Sequence, residues 1–404
     1  MPGERAYPEL TLGGGVKLRF VRVFSADRDA ERKFRLGDIA GEPDPDSVHA
    51  SSKPNEAMLA SNSDVVVDFP HRERAVRDRS TVGELADVIA GTLPNRELRM
   101  TLPYRIATDS TGRVIVTDPP AHAVHIFDFQ KKKYFRIQGG DGKRLQTPRA
   151  VAVDREDNIY VTDSGLGMVL VYDSRGNFLR WFGENNGEGL FDEPDSIAID
   201  SKTGHIFVSD SQRHLIFELD SNGNVLMRFG GAGERSDGLV KRAGAGEALR
   251  DFALEGDELV LADGSACTLS IFNLRGKLNR QIEILGGRCL LRPRPVSLDV
   301  DAEGNIYLCD TSFNTVRVYN HDGEFLFAFG RAGTMRGEFN SPTAVRVDSK
   351  GLIYVADSRN HRVQVFEIKV PQKRHLPGIL KRFEPKETRL DGQGDAEKPD
   401  VAAR

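Results

Sequence analysis

The sequence predicts an all-β fold, and three observations support that prediction. A short apolar run ending in aspartate occurs six times, and the steps between successive aspartates are 45, 47, 53, 47 and 47 residues. The six runs end at Asp118, Asp163, Asp210, Asp263, Asp310 and Asp357. Each run belongs to a unit of four short segments rich in β-branched and aromatic residues, separated by turn residues. Because hairpin-length connections join the four segments, each unit is expected to form one antiparallel sheet.

The second unit illustrates the four strands, which lie near residues 151–154, 159–163, 169–172 and 178–183. The first two are almost wholly apolar, as strands buried on both faces should be, whereas the later ones admit polar residues. Gly176 lies in the last turn and supplies the positive φ that a tight hairpin needs. Sheets this small must stack to bury their faces, and stacking around an axis predicts a six-bladed β-propeller. A linear solenoid is the alternative, but it normally has shorter repeats and polar end caps.

The sixth unit carries the most complete repeat motif. Pro342 begins a first strand that ends at Asp348, a second strand ends at Asp357, and His361 precedes the strand that ends at Phe366. This pattern resembles the NHL repeat, and the resemblance extends over about residues 100–370. It implies six blades, in agreement with the count, and a role as an interaction module or sensor domain. The fourth unit departs most, because it lacks the proline before its first strand and ends that strand in Glu255.

The chain divides into four predicted regions. Residues 1–24 are expected to hold an outer strand that closes the last blade. Residues 25–99 are expected to form an insertion, partly flexible, with a short helix near residues 85–90. Residues 100–370 form the six blades, and residues 371–404 form a charged tail that is expected to be disordered.

Two of these assignments have alternatives. The sixth unit has three evident strands, and its fourth is either Val16–Phe24, which alternates well, or Ile379–Phe383 near the end. We favour the N-terminal segment. The run Asp64–Asp68 resembles a first strand, so a degenerate seventh blade remains an alternative. No second strand follows this run, however.

Composition excludes several classes of protein. The 56 Lys and Arg nearly balance the 60 Asp and Glu, for a net charge of −4, so no broad basic surface for nucleic acid is expected. No run approaches the roughly 20 apolar residues of a membrane span. The three cysteines form no CxxC pair, so the sequence indicates neither a disulfide framework nor a cysteine zinc site. The beginning of the chain carries no apolar stretch of a secretory signal, so a cytoplasmic location is expected, unless a leader has been removed.

The binding surface is predicted on the top face of the propeller, which the fourth-to-first and second-to-third connections share. Long loops on a rigid scaffold are the usual place for function. Residues before and within the first strands should surround the mouth of the channel, namely Tyr104, Arg105, Arg149, Asp195, Arg294, Thr343 and Arg346. The arginines could attract an acidic peptide, a phosphate or a carboxylate. Asp192, Glu193 and Glu247 lie in the same loops, so the sign of the local field stays open.

Two recurrent positions invite a metal or catalytic interpretation. Four residues after each recurrent aspartate stand His122, Gly167, His214, Cys267, Asn314 and His361. Neighbouring blades place these loops too far apart to converge on one ion, and histidine or asparagine belongs to the NHL pattern here. An aspartate in every blade is more simply a brace that accepts backbone N–H bonds in a loop. The sequence contains no nucleophile elbow, phosphate loop or HExxH motif.

Two functions remain in competition. The favoured one is a non-catalytic scaffold that binds a protein or peptide through its top-face loops, with no cofactor and no nucleic-acid partner. The alternative is a pore-centred, metal-dependent lyase or hydrolase similar to the amidating-lyase and lactonase-like propellers, with Ca or Zn at the pore. The sequence places Asp195 and Glu193 near the axis but offers no convincing third ligand. The oligomeric state is not predicted.

Overall fold

The computed structural model describes residues 9–11, 17–24, 100–131, 133–185, 188–230, 249–263, 268–283 and 295–369. The predicted insertion of residues 25–99, with its helix and the possible seventh-blade strand, lies outside the described residues. So do the predicted tail of residues 371–404 and the alternative closing strand Ile379–Phe383.

The structure is a β-propeller of six antiparallel blades, as the repeat predicts. Two strands, β1 (Glu9–Thr11) and β2 (Lys17–Phe24), precede the first blade in the chain. Blade 1 contains β3 (Ile106–Thr108), β4 (Val114–Asp118), β5 (Ala123–Asp128) and β6 (Lys133–Ile137), and a short hairpin of β7 (Gly139–Gly140) and β8 (Lys143–Arg144) follows it. Blade 2 contains β9 (Pro148–Val153), β10 (Ile159–Asp163), β11 (Met168–Tyr172) and β12 (Phe178–Phe182), followed by a hairpin of β13 (Glu184–Asn185) and β14 (Glu188–Gly189).

The remaining blades repeat this order. Blade 3 contains β15 (Pro194–Ile199), β16 (Ile206–Asp210), β17 (Leu215–Leu219) and β18 (Val225–Gly230). Blade 4 contains β19 (Leu249–Glu255), β20 (Glu258–Asp263), β21 (Thr268–Asn273) and β22 (Leu278–Glu283). Blade 5 contains β23 (Pro295–Val300), β24 (Ile306–Asp310), β25 (Thr315–Tyr319) and β26 (Phe325–Phe329), and blade 6 begins with β27 (Pro342–Val347), β28 (Leu352–Asp357) and β29 (Arg362–Lys369).

Helical structure in the described residues includes two 3₁₀ turns, Pro119–Ala121 and Ser358–Asn360, between the second and third strands of blades 1 and 6. In the part of the chain that the structure describes, no helix has the length and apolar character needed to cross a membrane.

The N-terminal strand closes the ring. Strand β2 pairs antiparallel with β29, with Leu18 opposite Ile368 and Phe20 opposite Phe366, and so becomes the fourth strand of blade 6. This confirms the predicted closure by the N-terminus. Strand β1 adds a fifth strand on the outside of the same sheet, and no pattern in the sequence predicts it.

In the residues that the structure describes, the core forms six apolar clusters, each lying between two neighbouring blades. Blades 1 and 2, for example, share a cluster in which Ile115 and Val124 pack with Val161 and Leu170. The last cluster joins blade 6 to blade 1 and includes Phe24 of β2 together with Met100. The first strands β3, β9, β15, β19, β23 and β27 contact one another in a closed circle, which defines the central channel.

A turn glycine shows why the blade interfaces constrain the hairpins. Gly223, between the third and fourth strands of blade 3, has φ of 90°, which an L side chain rarely adopts. A Cβ atom there would also lie 2.5 Å from the Phe182 ring of blade 2. Both its backbone conformation and its contact with the neighbouring blade therefore require glycine.

Candidate functional site

The recurrent aspartate at the end of each second strand holds two top-face loops together. Asp163 accepts hydrogen bonds from the backbone N–H groups of Gln146 (2.7 Å) and Thr147 (2.9 Å) in the fourth-to-first loop. It also accepts bonds from Gly165 (3.0 Å) and Leu166 (3.1 Å) in the second-to-third loop. Asp118, Asp210, Asp310 and Asp357 are likewise buried and accept loop N–H or side-chain bonds, whereas the Asp263 side chain is not described. The predicted role as a loop brace is confirmed for the described aspartates.

The residue four positions after each recurrent aspartate lies in a turn, where the backbone is left-handed at the described members of the series. His122, His214, Asn314 and His361 have φ between 52° and 57°, and Gly167 has φ of 65°. Glycine, asparagine and histidine are the residue types enriched in this conformation, which explains the series without a metal. Cys267 lies outside the described residues.

Two of these histidines also link neighbouring blades. Nδ1 of His122 lies within hydrogen-bonding distance of the Gln146 carbonyl oxygen at the start of blade 2. Nδ1 of His361 has the same relation to the Thr101 carbonyl oxygen, which joins blade 6 to blade 1. The described members of the series therefore stabilise the top face, and two of their imidazoles bond to backbone carbonyl oxygens of the next blade.

The mouth of the channel is formed where the first strands begin. In blades 2 to 6 the pairing between first and second strands shifts register at this point, as between Val161 and Asp163 of β10. Such a bulge leaves one residue of the first strand without an opposite partner and redirects its side chain. Arg149, Asp195 and Thr343 occupy this position, and Tyr104 is their equivalent in blade 1.

The mouth residues contact one another. Arg149 Nε lies 3.6 Å from Asp195 Oδ1, and the Arg149 guanidinium carbon is 5.2 Å from the centre of the Tyr104 ring. The Thr343 hydroxyl donates a 2.9 Å hydrogen bond to the Pro103 carbonyl oxygen. About 36% of the Arg149 side chain is exposed, so it can meet a ligand that approaches the top face.

Arg105 crosses the channel one residue below the mouth. From blade 1 its Nη1 donates to the Thr343 carbonyl oxygen of blade 6 (2.7 Å) and its Nη2 donates to the Val296 carbonyl oxygen of blade 5 (2.7 Å). Its Nε lies 3.6 Å from Oδ2 of Asp251 in blade 4. Arg105 is only 5% exposed, so its guanidinium fills the space beneath the mouth. Burial alone would lower the pKa of this guanidinium, but Asp251, Tyr104 and Asp195 raise it, so the charge is retained.

The same level of the six first strands forms a polar ring, which we call the upper ring. Its members are Arg105, Ala150, Ser196, Asp251, Ser297 and Ala344. The Ser196 hydroxyl donates to Asp251 Oδ1 (2.6 Å), and the Leu298 N–H donates to Asp251 Oδ2 (3.3 Å). The charges of the upper ring are therefore satisfied by each other and by the backbone.

Two residues further along each first strand lies a second level, which we call the lower ring. Its members are Ala107, Ala152, Ala198, Ala253, Asp299 and Arg346. Arg346 Nη1 donates to Asp299 Oδ1 (3.1 Å), and the Val347 N–H donates to Asp299 Oδ2 (2.7 Å). Burial raises the pKa of the Asp299 carboxyl, although Arg346 opposes this shift.

The predicted rim residues thus lie at three levels. Tyr104, Arg149, Asp195 and Thr343 meet at the mouth, whereas Arg105 lies below it in the upper ring and Arg346 lies deeper, in the lower ring. Arg294 is outside the described residues. The arginines are therefore not one group at the pore mouth, because strand position fixes the depth of each side chain.

Three polar residues of the two rings, Ser196, Asp251 and Asp299, were not among the predicted site residues. Alignment of the six first strands by their closing acid shows them, since Asp299 stands at a level where four blades carry alanine and Ser196 and Asp251 stand at a level that is polar in four blades. Their chemistry becomes apparent only when the six strands are compared at the same depth.

Three potential metal ligands come together elsewhere in the described residues. Glu255, Glu258 and His321 have ligand atoms within 4.8 Å of one another. This group lies at the turns of blades 4 and 5, away from the mouth, and Arg280 Nη2 is 2.7 Å from His321 Nε2. The Arg280 guanidinium also lies 3.9 Å from a carboxylate oxygen of Glu258, so a positive charge borders this group.

Comparison with known proteins agrees with the repeat assignment. The family model for the NHL repeat matches residues 339–366, the segment that carries the most complete motif. Human NHL repeat-containing protein 3 is 37% identical over 76 residues, which are 18% of this chain and 22% of the human protein. The Drosophila melanogaster protein brain tumor is 29% identical over 129 residues, which are 31% of this chain and 12% of that protein.

A gluconolactonase from Xanthomonas campestris shares the fold. Its solved structure superposes with a TM-score of 0.51 at 13% identity, over 67% of this chain and 87% of that one. The matches to the two sequence relatives span less than a quarter of their lengths. Together these similarities bear out an NHL-repeat β-propeller.

Proposed function

We propose that this NHL-repeat β-propeller is a non-catalytic scaffold that binds a protein or peptide partner through its top-face loops. The observation that carries the proposal is Arg105, whose guanidinium closes the channel directly beneath the mouth. A ligand on the top face therefore meets a shallow surface rather than a deep pocket. Shallow surfaces between rigid loops suit extended partners better than small substrates.

The rigidity of the top-face loops supports the same proposal. In blade 3, Arg213 makes two 2.7 Å hydrogen bonds to the two carboxylate oxygens of Asp192 and a 2.8 Å bond to the Leu190 carbonyl oxygen. Together with the aspartate braces, these hydrogen bonds fix the positions of the described top-face loops before a partner binds. Preorganised loops lose less conformational entropy when they bind.

The residues at the mouth of the channel are of types that bind protein partners. Tyr104 offers an aromatic surface beside the partly exposed Arg149, and the Asp195 carboxylate balances the charge of Arg149. Aromatic residues and arginine are the types that contribute most to binding at protein interfaces. We infer that these residues are the centre of the contact surface.

The experiment compares partner capture by matched variants. The tagged protein and its Arg149→Glu variant are used to capture proteins from an extract of the source cells after chemical cross-linking. The control is Arg175→Glu, an exposed arginine in a third-to-fourth turn on the opposite face. A captured protein that is retained by the wild type and the control but lost from Arg149→Glu supports the proposal. Equal capture by all three proteins, or loss from both variants, contradicts it.

The metal-dependent alternative has its own measurement. Elemental analysis of protein purified without chelator or affinity-tag metal is compared between the wild type and Asp195→Ala. Stoichiometric Ca or Zn that disappears in the variant would replace the scaffold proposal with a pore-centred lyase or hydrolase. A metal content that is negligible, or that is unchanged by the substitution, leaves the scaffold proposal in place.

A further inference from the structure

The unused hydrogen-bonding groups of Arg149 and Tyr104 at the mouth are donors. Arg149 uses its Nε atom for both of its polar side-chain contacts, which reach Ser164 Oγ at 3.4 Å and Asp195 Oδ1 at 3.6 Å. Its two Nη atoms have no hydrogen-bond partner among the residues that the structure describes. The Tyr104 hydroxyl likewise has none in the described part of the chain. A group that completes the bonding of these two side chains must therefore supply acceptor oxygens.

The Asp195 carboxylate balances the charge of Arg149 but does not cover it. Asp195 is only 8% exposed, whereas about 36% of the Arg149 side chain is accessible. The 3.6 Å separation of Arg149 Nε and Asp195 Oδ1 exceeds the length of a hydrogen bond, so the two groups interact through their charges. A partner that approaches the top face therefore meets the guanidinium rather than the carboxylate.

A second guanidinium lies against the same aromatic ring. The guanidinium carbon of Arg105 is 4.5 Å from the centre of the Tyr104 ring, and that of Arg149 is 5.2 Å from it. Arg105 retains its positive charge beneath the mouth, where its carboxylate neighbour Asp251 is buried as well. The edge of an aromatic ring is also its positive part. An acidic group beside Tyr104 and Arg149 would thus be attracted by the ring edge and by two cations.

We propose that the top-face partner is a polypeptide that places one aspartate or glutamate side chain on Arg149. The two carboxylate oxygens would accept hydrogen bonds from the two Nη atoms, in the parallel, two-pronged arrangement that arginine favours. The Tyr104 hydroxyl is a further donor for the same carboxylate. This inference rests on the proposed scaffold function and adds the chemical identity of the residue at the centre of the contact.

A carboxylate fits this site better than a phosphate group does. Among the described mouth residues Tyr104, Arg149, Asp195 and Thr343, Arg149 is the one cation, and the Asp195 carboxylate stands beside it. A phosphate group carries close to two negative charges at neutral pH, and its second charge would face Asp195 without an exposed cation of its own in this described group. The single charge of a carboxylate is matched by the one exposed guanidinium.

A display selection with random peptides tests this preference. The library is selected in parallel on the purified full chain, on Arg149→Gln and on the control Arg175→Gln, which changes an exposed turn on the opposite face. The wild type and the control should select peptides with aspartate or glutamate at one fixed position, and Arg149→Gln should not. Peptides selected without a fixed acidic position would overturn the inference and leave the scaffold function intact. Failure of the wild type to select any peptide would contradict the scaffold function and the inference together.

Calorimetry with one selected peptide locates the contact, after circular dichroism has confirmed that each variant is folded. Replacing the acidic residue of the peptide by its amide should weaken binding to the wild type by about tenfold or more, but binding to Arg149→Gln by less than about twofold. Tyr104→Phe should weaken binding of the acidic peptide by about threefold or more. Equal losses on the wild type and on Arg149→Gln would show that the acidic residue binds elsewhere. A phosphoserine version that binds about tenfold more tightly would replace the carboxylate by a phosphate.

Discussion

Replacement of Arg105 by methionine tests whether a single guanidinium fastens the centre of the propeller. Methionine keeps most of the length of the side chain but removes its charge and its donors. The variant loses two 2.7 Å hydrogen bonds to carbonyl oxygens of blades 5 and 6, and it leaves Asp251 without its cation. Removing one partner of a buried ion pair typically costs about 3–5 kcal/mol.

The expected loss lies near the lower end of that range. Asp251 keeps its bonds from the Ser196 hydroxyl and the Leu298 N–H, and it borders a channel cavity of about 190 Å³, where water can solvate it. We therefore expect the free energy of unfolding to fall by about 3 kcal/mol. Urea denaturation followed by circular dichroism and tryptophan fluorescence measures this value, provided that the two probes give coincident transitions.

A double-mutant cycle separates the interaction between Arg105 and Asp251 from the other contributions to the loss of stability. Arg105→Met, Asp251→Asn and the double variant should give a coupling energy of about 1–3 kcal/mol, because the two side chains share one network. Arg175→Met, at an exposed turn, should change stability by less than about 0.5 kcal/mol. If Arg105→Met were as stable as that control, the guanidinium would not hold the blades together, and the account of a channel closed by Arg105 would fail.

Three further substitutions test other parts of the structure. Phe24→Ala removes a 4% exposed ring from the interface of blades 6 and 1 and should lower the free energy of unfolding by about 3–5 kcal/mol in urea denaturation; a loss below about 1 kcal/mol would argue against closure by β2. Burial alone would raise the pKa of Asp118, but the His125 imidazole, whose Nε2 lies 3.4 Å from Asp118 Oδ2, and two backbone N–H groups lower this pKa overall. The stabilising contribution of Asp118 is therefore full above about pH 4 and fades as the pH falls through the lowered pKa. The stability difference between the wild type and Asp118→Asn should therefore shrink in acid, and a difference that grows there would contradict the sign. Gly223→Ala should lower the melting temperature more than Gly204→Ala, because both positions have positive φ but only Gly223 faces an aromatic ring of the neighbouring blade; equal shifts would show that the contact is relieved without cost.

Much of the fold could be predicted because each blade repeats one local pattern. The alternation of Val16–Phe24 and the missing fourth strand of the last unit were sufficient to predict β2 as the closing strand. Strand β1 has three residues and no repeat partner, so nothing local distinguished it from a loop.

The candidate site was less predictable, because its chemistry depends on depth within the channel. Arg105 and Arg346 are both arginines in first strands, yet a difference of two strand positions places one beneath the mouth and the other in the lower ring. Asp251 and Asp299 gain their importance from partners in other blades, about 50 residues away in the chain. The histidines with positive φ, His122, His214 and His361, differ from these channel residues. Their residue type reflects a local left-handed backbone conformation rather than a bound ligand.

The pairing of β2 with β29 has a consequence for the order of events during synthesis. Strand β2 leaves the ribosome early, but its partner emerges only after all the other blades have been made, so for most of that time its hydrogen-bonding edge has no permanent neighbour. Residues that pair at this seam, such as Phe20 and Phe366, are more than 300 positions apart, and contacts of such long range form slowly. The seam is therefore expected to be the last interface to form in a new molecule.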